Sequence, residues 1–236
     1  MCTFVIVTGA WDTPLAMEPV IEPLESAGHD AIVVDLPCGN ANATLEDYAD
    51  AVRAALPNNL TQVVLVGYSF GGFTASMIAV DHPNLPMVYV AAYIPRDGSS
   101  VLDLFAGGDP FEVSEEAGIA ALGGLVLSAG PGLCALNIDM AVGASEPDGW
   151  DAVRIYLERT QRPQGIAALR QKWRGKPSTS RRRTYILTTA DTLLPPETQR
   201  LMAASVGADI VEIAADHGIF REQPARLAEL LVAASH

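Results

Sequence analysis

The chain has 236 residues, 49% of them hydrophobic and 18% charged, which excludes disordered, collagen-like and fibrous classes and fits one sheet-based domain with its own core. Its 15 basic and 28 acidic residues leave a net charge of −13, which repels phosphate backbones and anionic membrane surfaces and argues against a nucleic-acid partner. Cys2, Cys38 and Cys134 are too few and too widely spaced for a disulfide framework or a metal site.

Residues 4–7 form a short apolar run of β-branched character followed by Gly9, and Met17, Val20, Ile21 and Leu24 then recur at helical spacing. Asp12 or Thr13 is placed to cap that helix, Pro14 sits in its first turn, and Gly28 ends it before a strand over 31–34. Thr44 with Asp47 three residues later predicts a second capped helix through Leu45, Tyr48, Ala49, Val52 and Leu56, stopped by Pro57. Residues 63–66 are a continuous aliphatic run, the pattern of a central strand covered on both faces, and 87–91 repeats it after an intervening helix. Strands and helices alternate, so an α/β fold with a mostly parallel sheet is expected.

From 96 to 180 the alternation stops and Gly and Ala dominate, with helical patterns near 112–122, 150–160 and 165–173. This region reads as an inserted helical cap, and residues 1–95 and 181–236 as the core that carries it. The core pattern resumes with a strand over 184–188, a helix over 196–206 stopped by Gly207, a strand over 210–213 and a last helix after Pro224. No stretch reaches the roughly eighteen apolar residues of a membrane span, and a strand-like run opens the chain where a secretory leader would have a basic region. A soluble, cytoplasmic protein is therefore expected. The preference for Arg over Lys points to GC-rich coding DNA and a bacterial source.

Gly67-Tyr68-Ser69-Phe70-Gly71 is a G-x-S-x-G directly after the aliphatic run and before a helix. At such a turn a strained serine is lifted clear of the sheet, and Gly72 adds room at the helix start. The bland alternative is a glycine-rich turn with a passive serine. A serine hydroxyl needs a base to take its proton. Of four histidines, His29, His82 and His236 fall at helix-to-strand turns or the terminus, whereas His217 follows the strand over 210–213 and opens at the same carboxyl edge as Ser69.

The base in turn needs a carboxylate, and the chain order serine, acid, histidine selects Asp191, which follows the strand over 184–188; Asp97 is held in reserve. The oxyanion that develops on a substrate carbonyl needs two backbone N–H donors, here assigned to Phe70 and to Ala10 in the turn Thr8-Gly9-Ala10-Trp11. Gly9, Trp11 and Tyr68 are candidates for the wall of the substrate pocket. No G-x-G-x-x-G follows the first strand, so a dinucleotide site is not expected there.

These residues resemble the α/β-hydrolase superfamily, and within it the small cofactor-free serine esterases related to plant methyl-ester esterases and hydroxynitrile lyases. The resemblance covers the core, strongest at Gly9-Ala10-Trp11, 67–72, Asp191 with Leu194-Pro195-Pro196, and Asp216-His217. It implies no organic cofactor and no metal. Thr8 and Tyr68 stand where the family often has histidine, and Gly218 and Val5 where its hydroxynitrile lyases have lysine and threonine, which disfavours cyanohydrin cleavage. Relatives of this fold that open haloalkanes or epoxides use an aspartate where Ser69 stands.

The expected function is a serine hydrolase acting on a small, largely apolar ester, lactone or thioester, with a small molecule as partner; the oligomeric state, a homodimer included, stays open. A lyase, cyclase or cofactor-free oxygenase on the same fold is the alternative, as is a receptor-like protein that keeps the pocket for binding. Three further features receive bland readings: Arg181, Arg182 and Arg183 as a solvated sheet margin, Cys134 as a buried apolar residue, and Phe105, Phe111, Trp150, Tyr156 and Trp173 chiefly as cap core.

Overall fold

Four short aliphatic runs that are covered on both faces leave little choice but a sheet with helices on either side. A computed structural model describes residues 1–105, 123–139, 150–175 and 182–235. The core sheet has six parallel strands: β1 (Thr3–Val7), β2 (Asp30–Val33), β3 (Val63–Tyr68), β4 (Met87–Val90), and, after the cap, strands Arg183–Thr188 and Asp209–Ile213. β3 is wholly buried and lies between β1 and β4, with Val7 in register with Gly67 and Gly67 with Tyr89.

The helices sit where periodicity puts them. A 3-10 turn over Pro14–Met17 leads into α1 (Glu18–Ser26); α2 (Leu45–Ala55) opens on a reciprocal capping box between Thr44 and Asp47; α3 (Gly71–Asp81) follows β3 without a break. The expected side-chain cap before the first helix does not form. Thr13 occupies the N-cap without a side-chain bond, its hydroxyl donating instead to the Thr160 carbonyl at 2.9 Å, and Asp12 turns inward. Two apolar layers result, one on each face of the sheet, with Val5, Leu65, Phe73 and Tyr89 in one and Phe4, Val64, Val88 and Ile186 in the other.

The insertion departs from a purely helical cap. After α4 (Val101–Leu104) it contains strands β5 (Val126–Gly130) and β6 (Leu133–Leu136), then α5 (Trp150–Thr160), the short β7 (Gln164–Gly165) and α6 (Ile166–Arg170), with β5, β6 and β7 forming a three-stranded antiparallel sheet. The cause is the Gly130-Pro131-Gly132 turn, whose glycines take φ of 125 and 70 and reverse the chain between two apolar segments. The helix expected over 165–173 shrinks accordingly to α6. The pattern near 112–122, Phe111, Arg181 and His236 lie outside the described residues.

β8 (Arg183–Thr188), α7 (Pro196–Ser205), β9 (Asp209–Ile213), the one-turn α8 (Ile219–Glu222) and α9 (Pro224–Ala234) complete the core, giving the strand order β2-β1-β3-β4-β8-β9. The loops after β1, β3, β8 and β9 therefore leave the same carboxyl edge, where parallel sheets place their sites. Among the described residues no helix is long and apolar enough to cross a membrane, and no cluster of His, Cys, Asp and Glu is arranged to hold a metal ion.

Candidate active site

Ser69 sits on the turn between β3 and α3 with φ of 51, a left-handed conformation that a non-glycine residue keeps only where its surroundings impose it. The surroundings are backbone: Ser69 N–H donates to the Val90 carbonyl at 3.2 Å, and the Ser69 carbonyl accepts from Gly72 at 3.1 Å and Tyr93 at 3.0 Å. Tight packing also explains the glycines. A Cβ on Gly71 would land on the Val7 carbonyl oxygen, and one on Gly72 on that of Tyr93. The sequence Gly67 to Gly72 thus lets a helix start directly against two core strands with the serine at the corner.

His217, in the loop between β9 and α8, reaches Ser69 Oγ with Nε2 at 3.0 Å, while its Nδ1 lies 2.7 Å from Asp191 Oδ2. Asp191 is buried and well provided with donors. Its Oδ1 accepts the N–H groups of Leu193 at 2.9 Å and Leu194 at 2.8 Å, and its Oδ2 accepts the Thr188 hydroxyl at 2.9 Å and the Gln199 amide at 3.2 Å. Burial alone would push this carboxyl up, but His217 and these donors hold it below the ordinary carboxylate range. Burial likewise pushes His217 down, and the charge and hydrogen bond of Asp191, with Asp12 and Asp216, outweigh it and leave the imidazole raised. The reserve carboxylate Asp97 is exposed, and the bond to the imidazole belongs to Asp191.

Phe70 follows Ser69 directly, and Ala10 follows Gly9, which packs against the serine. Among the described residues neither N–H has a protein acceptor, although Gly9 N–H and Trp11 N–H on either side of Ala10 are both bonded. Phe70 is also the N-cap of α3, an eleven-residue helix whose dipole favours negative charge there. Gly9 is pressed against the site: a Cβ on it would lie 3.0 Å from Ser69 Cβ and 2.9 Å from Asp12 Oδ2.

The other proposed pocket residues are buried and already partnered. Trp11 Nε1 donates to the Cys134 carbonyl at 3.2 Å, and Tyr68 Oη donates to the His217 carbonyl at 3.0 Å while its ring packs 5.3 Å from the imidazole and 5.0 Å from Phe220. Tyr68 therefore props the histidine loop from below.

Sequence reasoning missed Thr188, Gln199, Asp12 and the cap glutamines Gln161 and Gln164. Gln199 is three residues into α7 after the Pro195-Pro196 start, and nothing in its spacing marks it as a partner of Asp191. Asp12 is the most consequential. Its Oδ2 accepts Gly9 N–H at 3.1 Å and its Oδ1 accepts the Gln161 amide at 2.6 Å; burial pushes its carboxyl up to about 6 despite Gln161, Gly9, His217 and Arg162.

The comparisons with known proteins point one way. The carbendazim hydrolyzing esterase of Nocardioides sp. (strain SG-4G) is 26% identical over 254 residues, covering 99% of this chain and 99% of the relative. Polyneuridine aldehyde esterase of Rauvolfia serpentina is 27% identical over 235 residues, covering 89% of this chain and 86% of the relative. A crystal structure of polyneuridine aldehyde esterase superposes with a TM-score of 0.77 at 24% identity, with both chains covered to 100%, and a pyrethroid hydrolase from Sphingobium faniae JZ-2 with 0.73 at 20%, covering 99% of this chain and 97% of the other. A model of the alpha/beta hydrolase family matches residues 4–230, nearly the whole chain, and the protein belongs to that family.

Proposed function

We propose that this protein is a serine hydrolase that cleaves a small, largely apolar carboxylic ester, or a lactone or thioester of similar size, through an acyl-enzyme on Ser69. The observation that carries the reading is the continuous chain from Ser69 Oγ to His217 Nε2 at 3.0 Å and from His217 Nδ1 to Asp191 Oδ2 at 2.7 Å. The esterase names of the full-length relatives support the reaction class.

Ser69 Oγ attacks the substrate carbonyl as its proton passes to His217 Nε2, and Asp191 holds the imidazolium so formed. The carbonyl oxygen takes up the electron pair and is received by the N–H groups of Ala10 and Phe70. Collapse of the tetrahedral species breaks the bond to the leaving alcohol, which takes the proton from His217. Water, deprotonated by the same imidazole, then releases the acid and restores Ser69. The excess of acidic groups favours uncharged substrates over anionic ones.

Hydrolysis of p-nitrophenyl esters from acetate to octanoate, by wild type and by Ser69→Ala, tests this. Wild type should turn over the shorter esters, and Ser69→Ala should lose roughly 10⁴-fold or more in kcat. A folded wild type without turnover, or turnover that survives the substitution, would move the weight to lyase, cyclase, oxygenase or pure binding chemistry on the same pocket.

A further inference from the structure

The turn that carries Ala10 is held almost entirely by the cap. Among the described residues, the hydrogen bonds to residues 9–11 come from Asp12 and from cap residues between 134 and 164. Trp11 N–H donates to Gln164 Oε1 at 3.4 Å, Trp11 Nε1 to the Cys134 carbonyl at 3.2 Å, and the Trp11 carbonyl accepts Arg162 N–H at 2.8 Å. Next to it, Asp12 pairs with Gln161 as an antiparallel bridge, and Thr13 N–H donates to the Thr160 carbonyl at 2.8 Å.

These contacts account for an otherwise expensive backbone. Trp11 is a bulky residue at φ 66, a conformation that persists only where neighbours determine it. Gln164 is completely buried and cannot swing away, because its amide nitrogen donates to Tyr48 Oη at 2.8 Å and to the Gly165 carbonyl at 2.9 Å. On the other side of Ala10, the Gly9 N–H is tied to Asp12 Oδ2, and Asp12 is tied in turn to Gln161. Both neighbouring peptide N–H groups are thus committed to side chains, and Ala10 N–H is the one left over.

We propose that Gln164, and Gln161 acting through Asp12, are positioning residues with which the cap sets the oxyanion hole, holding the 9–11 turn so that Ala10 N–H meets the developing oxyanion. This rests on the esterase reading and deepens it. Hole formation then becomes a property of the seated cap, so that a substrate that keeps the cap in place also completes the catalytic machinery.

The experiment is steady-state hydrolysis of a p-nitrophenyl ester by wild type, Gln164→Ala, Gln161→Ala, Asp12→Ala and Asp12→Asn, with thermal melting of each and inhibition by a matched trifluoromethyl ketone, which forms the tetrahedral adduct. Gln164→Ala and Asp12→Ala should lose roughly 10²-fold in kcat with KM held within about threefold, and bind the ketone weaker by the same factor as kcat. Asp12→Asn should recover most of the loss, since its amide keeps an oxygen for Gly9 N–H and a flipped Gln161 can accept its NH₂. Gln161 is half-buried, so its alanine variant decides the matter if Gln164→Ala fails to fold; about tenfold in kcat is expected.

Folded variants that keep kcat within about threefold of wild type, or equal losses in Asp12→Asn and Asp12→Ala, overturn the proposal while the esterase reading stands. A wild type without turnover removes the esterase reading itself, and this inference with it.

Discussion

The two turns that meet at Ser69 are built on different supports. The Ser69 corner is held by core backbone: Val90, Tyr93 and Gly72 bond it, and Val7 and Tyr93 carbonyls press on Gly71 and Gly72. The Ala10 turn is held by side chains and backbone of the cap, through Gln164, Arg162, Cys134 and the Asp12–Gln161 pair. Ser69 is therefore as stable as the sheet, whereas the Ala10 N–H proposed as an oxyanion donor is only as ordered as the insertion. A fault on the core side should cost stability together with activity; a fault on the cap side should cost activity first.

The largest effect on the core side is expected from Asp191→Asn. The N–H groups of Leu193 and Leu194 both point at Oδ1, so the new amide keeps its oxygen there and turns its NH₂ toward His217 Nδ1. A donor facing Nδ1 stabilises the tautomer with the proton on Nε2, which cannot accept from Ser69, and kcat should fall by about 10⁴-fold. Loss of less than about tenfold would show that this carboxylate does not set the tautomer. Next comes Gly71→Ala, whose Cβ is driven into the Val7 carbonyl oxygen at the carboxyl end of β1. Overpacking against backbone that cannot retreat should cost about 3 kcal/mol of unfolding free energy in urea, and activity should fall with it. An alanine variant as stable as wild type would mean that the corner is looser than its contacts imply.

The same division decides what was legible in the sequence. The meeting of Ser69, His217 and Asp191 is legible because each follows a strand of one parallel sheet and so opens at the same edge, and an aliphatic run such as 63–66 has few other uses. The capping box at Thr44 and Asp47 is legible for a local reason. The cap is different: Gly130-Pro131-Gly132 turns two modest apolar segments into an antiparallel pair, and composition alone reads as helix. Asp12 or Thr13 is the cap the sequence predicts, because either residue before a proline-led turn ordinarily serves there. What diverts Asp12 inward is Gln161, 149 residues later, a long-range partner that no periodicity encodes.

Asp12 also supplies the subtlest way to separate the two supports, because its charge and its hydrogen bonds can be removed independently. Its carboxyl holds a proton in the folded chain up to about pH 6, against 3.8 for the ordinary group. Folding therefore takes up a proton between those values, and stability falls as pH rises through that window, with the full cost present above it. A rise from 3.8 to about 6 corresponds to at most about 3 kcal/mol. Asp12→Asn, which never ionises, should be more stable than wild type by up to that amount in urea at pH 8, and the gap should close near pH 4, where both side chains are neutral. A gap that is absent at pH 8, or that persists at pH 4, would mean that burial does not penalise this carboxylate. If the gap is found, an ionisable group is being kept beside the Ala10 turn at a cost in stability, and the hydrogen bonds it makes with Gly9 and Gln161 are what an asparagine should retain.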